Sequence, residues 1–437
     1  MKDPRAALNR VTFGVTDTEL QAVEKQGWAA WIKAQLQPGE DPKCDARLNG
    51  LTYTVEVGRM EREANATFGR YFETPAQLVA RIPERREAKE VDFNRPAVEA
   101  AIATWTRAIH SRKQVRELLV EFWHNHFNVS IEAEDEIAMM MAVYDREVIR
   151  KHALGNFRQF LEAVATSPAM LYYLDNAYSK ASPANENYAR ELFELHTLGA
   201  ENYFNHLYDD WRQVPGAMEG RAEGYIDEDV YEAARAFTGW TVADGREVGE
   251  SALPFTGEFH YYDRWHDHYQ KRVLGVEFRS HREAMADGRQ VLDLVAYHPA
   301  TARHVCTKLC RWWVGDHPPE SVIDKAVATW TEHARADDQI ARTVETILLS
   351  PEFAAGLGQK VKRPNHLLLA LVRQTGLDIT PSMEWYWLLE QMGYRQFSWP
   401  VPTGHPDEAG YWLSTDRLLK RWNSVPLVLY HYLEEGN

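Results

Sequence analysis

The densest run of reactive side chains in this 437-residue chain is Ala184-Asn-Glu-Asn-Tyr-Ala-Arg-Glu-Leu-Phe-Glu-Leu-His-Thr-Leu-Gly199. Carboxylates, a guanidinium and an imidazole this close together make either an ion-pair strut or part of an active site. Wound as an α-helix at about 100° per residue, the run sets Glu186, Asn187, Arg190, Glu191 and Glu194 on one arc of roughly 140°. Tyr188, Leu192 and Leu195 take the opposite face, as in a helix packed on one side. His196 falls on the apolar flank and reads as a core histidine. Pro183 and Asn185 start the helix, and Gly199 ends it. Spacing alone equally fits a solvated Glu186–Arg190–Glu194 ladder, stabilising by about 0.2–0.5 kcal/mol per pair.

Other segments carry candidate chemistry. Phe122-Trp-His-Asn-His-Phe127 holds His124 and His126. On an extended chain a His-x-His pair shares one face and can chelate an ion; on a helix the two sit about 200° apart and cannot. The Asn-Val-Ser that follows ends the run, so both geometries stay open. Glu258 to Lys271 gathers His260, His266, Asp267 and His268 among aromatics, either a divalent-metal or acid–base centre or a solvated polar loop. Tyr172-Tyr-Leu-Asp-Asn176 adds Asp175. In His298-Pro-Ala-Thr-Ala-Arg-His304 and beyond, Arg303 and Lys308 either bind an anion or face solvent. Trp385, Trp399 and Trp412 either stack on sugar rings or fill the core. No nucleophile elbow, His-Glu-x-x-His, Walker loop or Gly-x-Gly-x-x-Gly occurs, which removes the commonest hydrolase, zinc-protease, NTPase and dehydrogenase readings.

Helical periodicity supplies the elements that must position these groups. Thr16-Asp-Thr-Glu19 is a capping box opening a helix to about Leu36. Amphipathic runs follow over roughly 97–127, 136–153, 155–166, 184–198, 228–238, 281–297, 299–314, 319–334, 338–349, 360–375 and 415–423. Two segments escape the pattern. Residues 200–226 read as a long loop or insertion, and 241–280, with alternating Phe255, Phe259 and Tyr261, as an irregular or β-hairpin excursion. Loops of this length are often functional. The expected fold is mainly α, one large multi-helix domain over 1–437.

Composition narrows the partners. The chain is 45% hydrophobic and 26% charged, an ordinary globular balance. Its net charge of −15 argues against a nucleic-acid partner, because phosphate neutralisation needs clustered Lys and Arg. No stretch of membrane-spanning length is apolar enough to cross a bilayer. Cys306 and Cys310 share a helix face, but no second Cys pair completes a metal site, so buried thiols are expected. Met-Lys-Asp-Pro-Arg-Ala-Ala-Leu is no leader, so a cytoplasmic location is expected as written, and a periplasmic or exported one if a leader was removed.

Several unusual segments occur in order along the chain: Leu8-Asn-Arg-Val-Thr-Phe-Gly14, Phe122–Phe127, Tyr173-Leu-Asp-Asn176, Asn185–Gly199 and Ala234-Arg-Ala-Phe-Thr-Gly-Trp240. His266-Asp267 with Lys271, His298–Arg303, Lys362-Arg-Pro364, Pro402-Thr-Gly-His-Pro-Asp407 and Arg421-Trp-Asn423 continue the series. On these the chain resembles the bacterial family catalogued as domain of unknown function 1800, almost end to end. The resemblance implies exported relatives, often encoded near a sulfatase-like partner protein, and hence envelope or polysaccharide chemistry. This chain departs by lacking a leader and by its longer 200–226 segment.

The preferred expectation is a metal-dependent enzyme, a hydrolase or oxidoreductase acting on a small molecule or saccharide. His124, His126, His266 and Asp267 would hold a divalent ion, with Fe, Zn, Mn and Cu not distinguished by one sequence. Glu186, Asn187, Arg190, Glu191 and Asp175 would complete the cleft, with Glu191 as a further ligand or base and Arg190 orienting an anionic group. Two alternatives stand beside it: a metal-free carbohydrate-handling protein, and a helical scaffold whose polar clusters are structural ion-pair networks.

Overall fold

The computed structural model describes residues 1–39, 41–56, 62–81 and 94–435. The fold is mainly α, and its β structure is confined, among the described residues, to small two-stranded antiparallel pairs. The helices break where the backbone demands it. Thr16 and Glu19 form the expected capping box, but the helix stops at Gln26 because Gly27 takes φ 83°, and a second helix, Trp28–Leu36, follows. The run expected over 97–127 is likewise two helices, Arg95–His110 and Gln114–His126. The buried Gln114 ties the corner between them: its amide donates to the carbonyls of Ala108 (3.0 Å) and Ser111 (2.8 Å) and accepts from the Phe13 N–H (3.0 Å).

Two helices widen into π turns, which periodicity does not announce. Asp135–Val143 passes into a π turn at Tyr144–Arg150, and Asn187–Glu191 into another at Leu192–His196. An i→i+5 turn brings residues five apart into register, and Arg150 Nε donates to Asp145 Oδ2 at 2.8 Å across that spacing. Inserted turns of this kind are frequent at functional sites.

The excursion at 241–280 contains the expected hairpin. Trp240–Asp244 pairs with Phe255–Tyr261, and Lys271–Val273 with Val276–Phe278. A further hairpin, Thr52–Glu56 with Arg62–Thr67, was not anticipated from the pattern. Residues 200–226 form a chain of short 3₁₀ turns pinned by Phe204 N–H to Tyr225 O (2.8 Å) and by His298 Nε2 to Ala222 O (2.7 Å). One connected cluster of buried apolar residues runs from Ala7 to Val428, with Trp105, Trp123, Trp240, Trp313, Trp330 and Trp412 among its largest members. Cys306 and Cys310 are free thiols within it, as expected. No helix among the described residues is long and apolar enough to cross a membrane.

Candidate functional site

The signature helix closes part of its own charge, around Arg190. Arg190 donates to Glu186 Oε2, one turn back, at 3.2 Å and to Asp227 Oδ1 at 3.1 Å. Tyr203 Oη (2.7 Å) and Asn205 Nδ2 (3.1 Å) donate to the same Asp227 carboxylate. Asn187 Nδ2 donates to Asp175 Oδ2 at 3.2 Å, so these two predicted residues do meet. Glu194 takes no part in the expected ladder among the described residues; the π turn after Glu191 changes the step per residue, and the helical wheel stops applying there. Glu191 stands apart, half-buried and without a hydrogen-bonding partner for its carboxyl among the described residues. Burial, then Glu194, lifts its carboxyl to about 7. A carboxyl titrating near neutrality is suited to proton transfer.

The predicted metal ligands are dispersed, which corrects the expected convergence. The His-x-His pair is helical, so its rings diverge. His124 Nε2 lies 2.8 Å from Asp145 Oδ1, in the buried network with Arg150. His126 faces the other way, Nε2 donating to His196 O at 3.0 Å, with its ring centroid 6.2 Å from His196 and 6.3 Å from His304. His196 is fully buried, as expected of a core histidine, yet both its ring nitrogens and His126 Nδ1 lack a partner among the described residues. Burial, with Lys308 and His304 nearby, presses His196 to about 3, so the ring is neutral.

His266 and Asp267 belong to a third knot. Asp267 receives Arg235 Nε (2.8 Å) and Nη2 (3.1 Å), and the buried Lys271 donates to Asp287 Oδ2 (2.8 Å). His266 uses Nδ1 on Thr238 O at 2.9 Å and sets Nε2 3.4 Å from Asp287. Burial opposes the Asp267 charge, but Arg235 outweighs it and holds the carboxyl below its usual range. Among the described residues no group of three or more His, Cys, Asp and Glu side chains is placed to hold a metal ion. Of the aromatic trio, Trp385 and Trp412 are core residues, and Trp399 packs on His405 at 4.7 Å.

Residues with no assigned role in the sequence reading converge instead. The helix Pro4–Val11 brings Asn9 and Arg10, the approach to helix Pro364–Thr375 brings Lys360, Lys362 and Arg363, and the C-terminal loop brings Asp407. They line a cavity of about 250 Å³ floored by Trp312 and His366. Gly404, at φ +70°, lets that loop lie against Asn125, whose carbonyl oxygen would stand 2.3 Å from any Cβ placed there. Four cations therefore face one carboxylate along the cavity wall.

Their partners leave cationic capacity unspent. Lys360 Nζ donates to Asp316 Oδ1 and Asp407 O, each at 2.8 Å. Arg363 lies over the Trp312 ring, 4.7 Å from its centroid, and reaches Glu121 at 3.3 Å and Asp407 at 3.5 Å. Lys362 Nζ has only the Asn9 amide oxygen, at 2.9 Å, and no carboxylate among the described residues. Burial, then Arg10 and Arg373, presses it down to about 8. Arg10 has no partner among the described residues on its buried Nε and Nη2, and burial lowers it to about 10 against the pull of Asp407 and Asp316. Beneath, Glu121 accepts from Arg363, Asn365 Nδ2 (3.1 Å) and His366 Nε2 (2.8 Å). Burial alone would raise Glu121; these donors hold it ionised at about 2.

The pocket's wall and floor thus draw on segments that carry the family resemblance: Leu8–Gly14, Phe122–Phe127 through the seat for Gly404, Lys362–Pro364 and Pro402–Asp407. No curated protein and no solved structure matches the chain. A family model described as a protein of unknown function, DUF1800, matches residues 6–434, and the chain belongs to that family.

Proposed function

We propose that this protein recognises a small oxyanion, a phosphate, sulfate or carboxylate group, in the Arg10 pocket. One observation carries the reading: buried Arg10 donors without a protein partner, in a cavity whose wall holds four cations and one carboxylate. An unpaired buried charge is costly, and a charge-assisted hydrogen bond to an oxyanion offsets that cost. An acidic saccharide carrying a sulfate or uronate would join this reading to the sugar-handling alternative. Calorimetric titration of the full chain with inorganic phosphate and sulfate tests it. Saturable binding that weakens at least tenfold, about 1.4 kcal/mol, in a folded Arg10→Ala variant is expected. Equal affinity in the two proteins would sink the proposal.

The metal-dependent enzyme is a second and separate reading. The unpartnered ring nitrogens of His126 and His196 favour it, while the want of a third placed ligand among the described residues weighs against it. Elemental analysis of the purified protein, repeated on His126→Ala, decides between them.

A further inference from the structure

A second cationic cavity, of about 360 Å³, lies where helices Arg95–His110 and Gln114–His126 meet the π turn Tyr144–Arg150. Arg107, Lys113, Arg116, Arg146, Arg150 and Lys151 line it. Among the described residues its carboxylates are three, Asp41, Asp45 and Glu117, in a chain whose overall balance is 64 acidic to 49 basic residues. Two of the three are already committed. Glu117 Oε2 takes Arg150 Nη1 at 2.6 Å, and Asp41 Oδ2 takes the Arg112 N–H at 2.7 Å.

Some of the lining cations are already paired: Arg146 Nε donates to Glu147 Oε1 at 2.9 Å. Arg150 is clamped between Glu117 and Asp145, whose partnership depends on the π spacing. Arg107 Nη1 donates to Tyr71 Oη at 2.8 Å, and that hydroxyl donates to Asp145 Oδ2 at 2.8 Å. Arg116 has only backbone carbonyls, Arg150 O at 3.2 Å and Gly39 O at 3.5 Å. Lys113 Nζ similarly meets Ala34 O at 2.7 Å and Gln37 O at 3.2 Å. Neither Arg116 nor Lys113 touches a carboxylate among the described residues. Burial lowers the Arg116 guanidinium, and Arg150 and Arg107 add to this against Glu117 and Asp45. Like charges held this close on rigid supports are preorganised for a ligand of opposite charge.

We infer that this cavity is a second, independent binding site, for a multiply charged oxyanion of the phosphate type. Two features select that class over a single carboxylate. Guanidinium forks match tetrahedral oxyanions in bidentate fashion, and Arg116 and Lys113 are two cations that no carboxylate among the described residues holds, more than one unit charge would neutralise. The volume lies within the range of small-molecule sites, about 300–1,000 Å³.

Inorganic pyrophosphate is the probe, titrated calorimetrically into the full chain with sulfate as competitor. The expected result is saturable binding that weakens at least tenfold in Arg116→Ala and in Lys113→Ala. The Arg10→Ala variant should retain it, which separates this site from the first pocket. Sulfate, a dianion, should need at least tenfold higher concentration to displace the more highly charged pyrophosphate; equal potency would overturn the preference for a phosphate-type ligand over sulfate. Unchanged affinity in both folded variants, or binding lost only in Arg10→Ala, would overturn the site itself. If Arg116→Ala does not fold, Arg116→Lys keeps the charge but not the fork, and should weaken pyrophosphate binding several-fold; unchanged affinity in it and in Lys113→Ala would overturn the site.

Discussion

The polar arc of helix Asn187–Glu191 and the pocket around Arg10 hold similar numbers of charged groups and close them in opposite ways. On the arc, Arg190 is shared between Glu186 and Asp227, and the three side chains are 36%, 43% and 48% exposed. In the pocket, Arg10 is partly buried, its Nε and Nη2 fully so, beside Lys360, Lys362 and Arg363, with Asp407 the one carboxylate on the wall among the described residues. On the arc the one cation is held, by Glu186 one turn back and by Asp227 from a following helix, because a neighbour one turn apart is within reach. Cations delivered by separate segments have no such local partner, and their surplus is available to a ligand.

The largest test of this contrast is Glu121→Ala. Glu121 is the buried anion on which Arg363, Asn365 and His366 converge, so its removal leaves buried Arg363 with Asp407 alone, at 3.5 Å, and strips Asn365 and His366 of their acceptor. Breaking a buried pair in this way costs about 3–5 kcal/mol. Equilibrium denaturation measures it. A loss under about 1 kcal/mol would show that the pocket floor does not depend on the ion cluster.

How much of this was legible beforehand follows from the range of the interactions. The capping box at Thr16, the helix over 299–314 and the hairpin within 241–280 are local, and side-chain types write them directly. The π turns were not, because one extra residue per turn breaks the i, i+4 pattern without any composition to mark it. His124 and His126 illustrate a reading that depended on backbone conformation: the residues were visible, but only the helix at Gln114–His126 decided that they diverge. The basic pocket was the least legible feature. Asn9 and Lys362 are hydrogen-bonded at 2.9 Å although 353 residues apart, and each pocket cation alone resembles an ordinary solvated one. The resemblance did mark the segments Leu8–Gly14, Lys362–Pro364 and Pro402–Asp407, without assigning them chemistry.

Smaller than the loss of Glu121, but specific to the pocket, is its response to pH. Lys362 is charged below about 8 and neutral above it, whereas Arg10 stays charged to about 10. Anion affinity should therefore fall as pH rises through about 8, by roughly tenfold between pH 7 and 9, about 1.4 kcal/mol. A bound anion also favours the ammonium, so binding near pH 8 should take up protons, which calorimetry in buffers of different ionisation enthalpy detects. Affinity that is flat across this range would remove Lys362 from the site. Arg10→Ala should leave the ligand-free melting temperature nearly unchanged or raised, since it deletes a buried cation that no carboxylate holds.

On the arc, Glu191 gives the next effect. Its carboxyl is raised from 4.5 to about 7, so the folded chain holds a proton that the unfolded chain has released. The resulting stability is fully present below 4.5 and is lost as pH rises through about 7. Glu191→Gln cannot ionise, so it should match the wild type near pH 4.5 and exceed it by about 1 kcal/mol at pH 8, a figure discounted for partial exposure. Denaturation curves at the two pH values check the sign. A variant less stable at pH 8 would mean that the ionised carboxylate is being used, and would favour Glu191 as a working acid–base group.

The smallest effect expected is that of Arg190→Ala. Its two carboxylate partners are nearly half exposed, and exposed ion pairs of this kind contribute about 0.2–1 kcal/mol each at most. Asp227 also keeps Tyr203 and Asn205 as donors after the substitution, so the carboxylate is not stranded. A loss of about 0.5 kcal/mol in stability and no change in phosphate or sulfate affinity is expected. The two readouts must be taken together. Stability loss alone fits a self-neutralised strut. A tenfold loss of anion binding with little loss of stability would instead place Arg190 on a ligand, and the contrast between the closed arc and the open pocket would then fail at the arc.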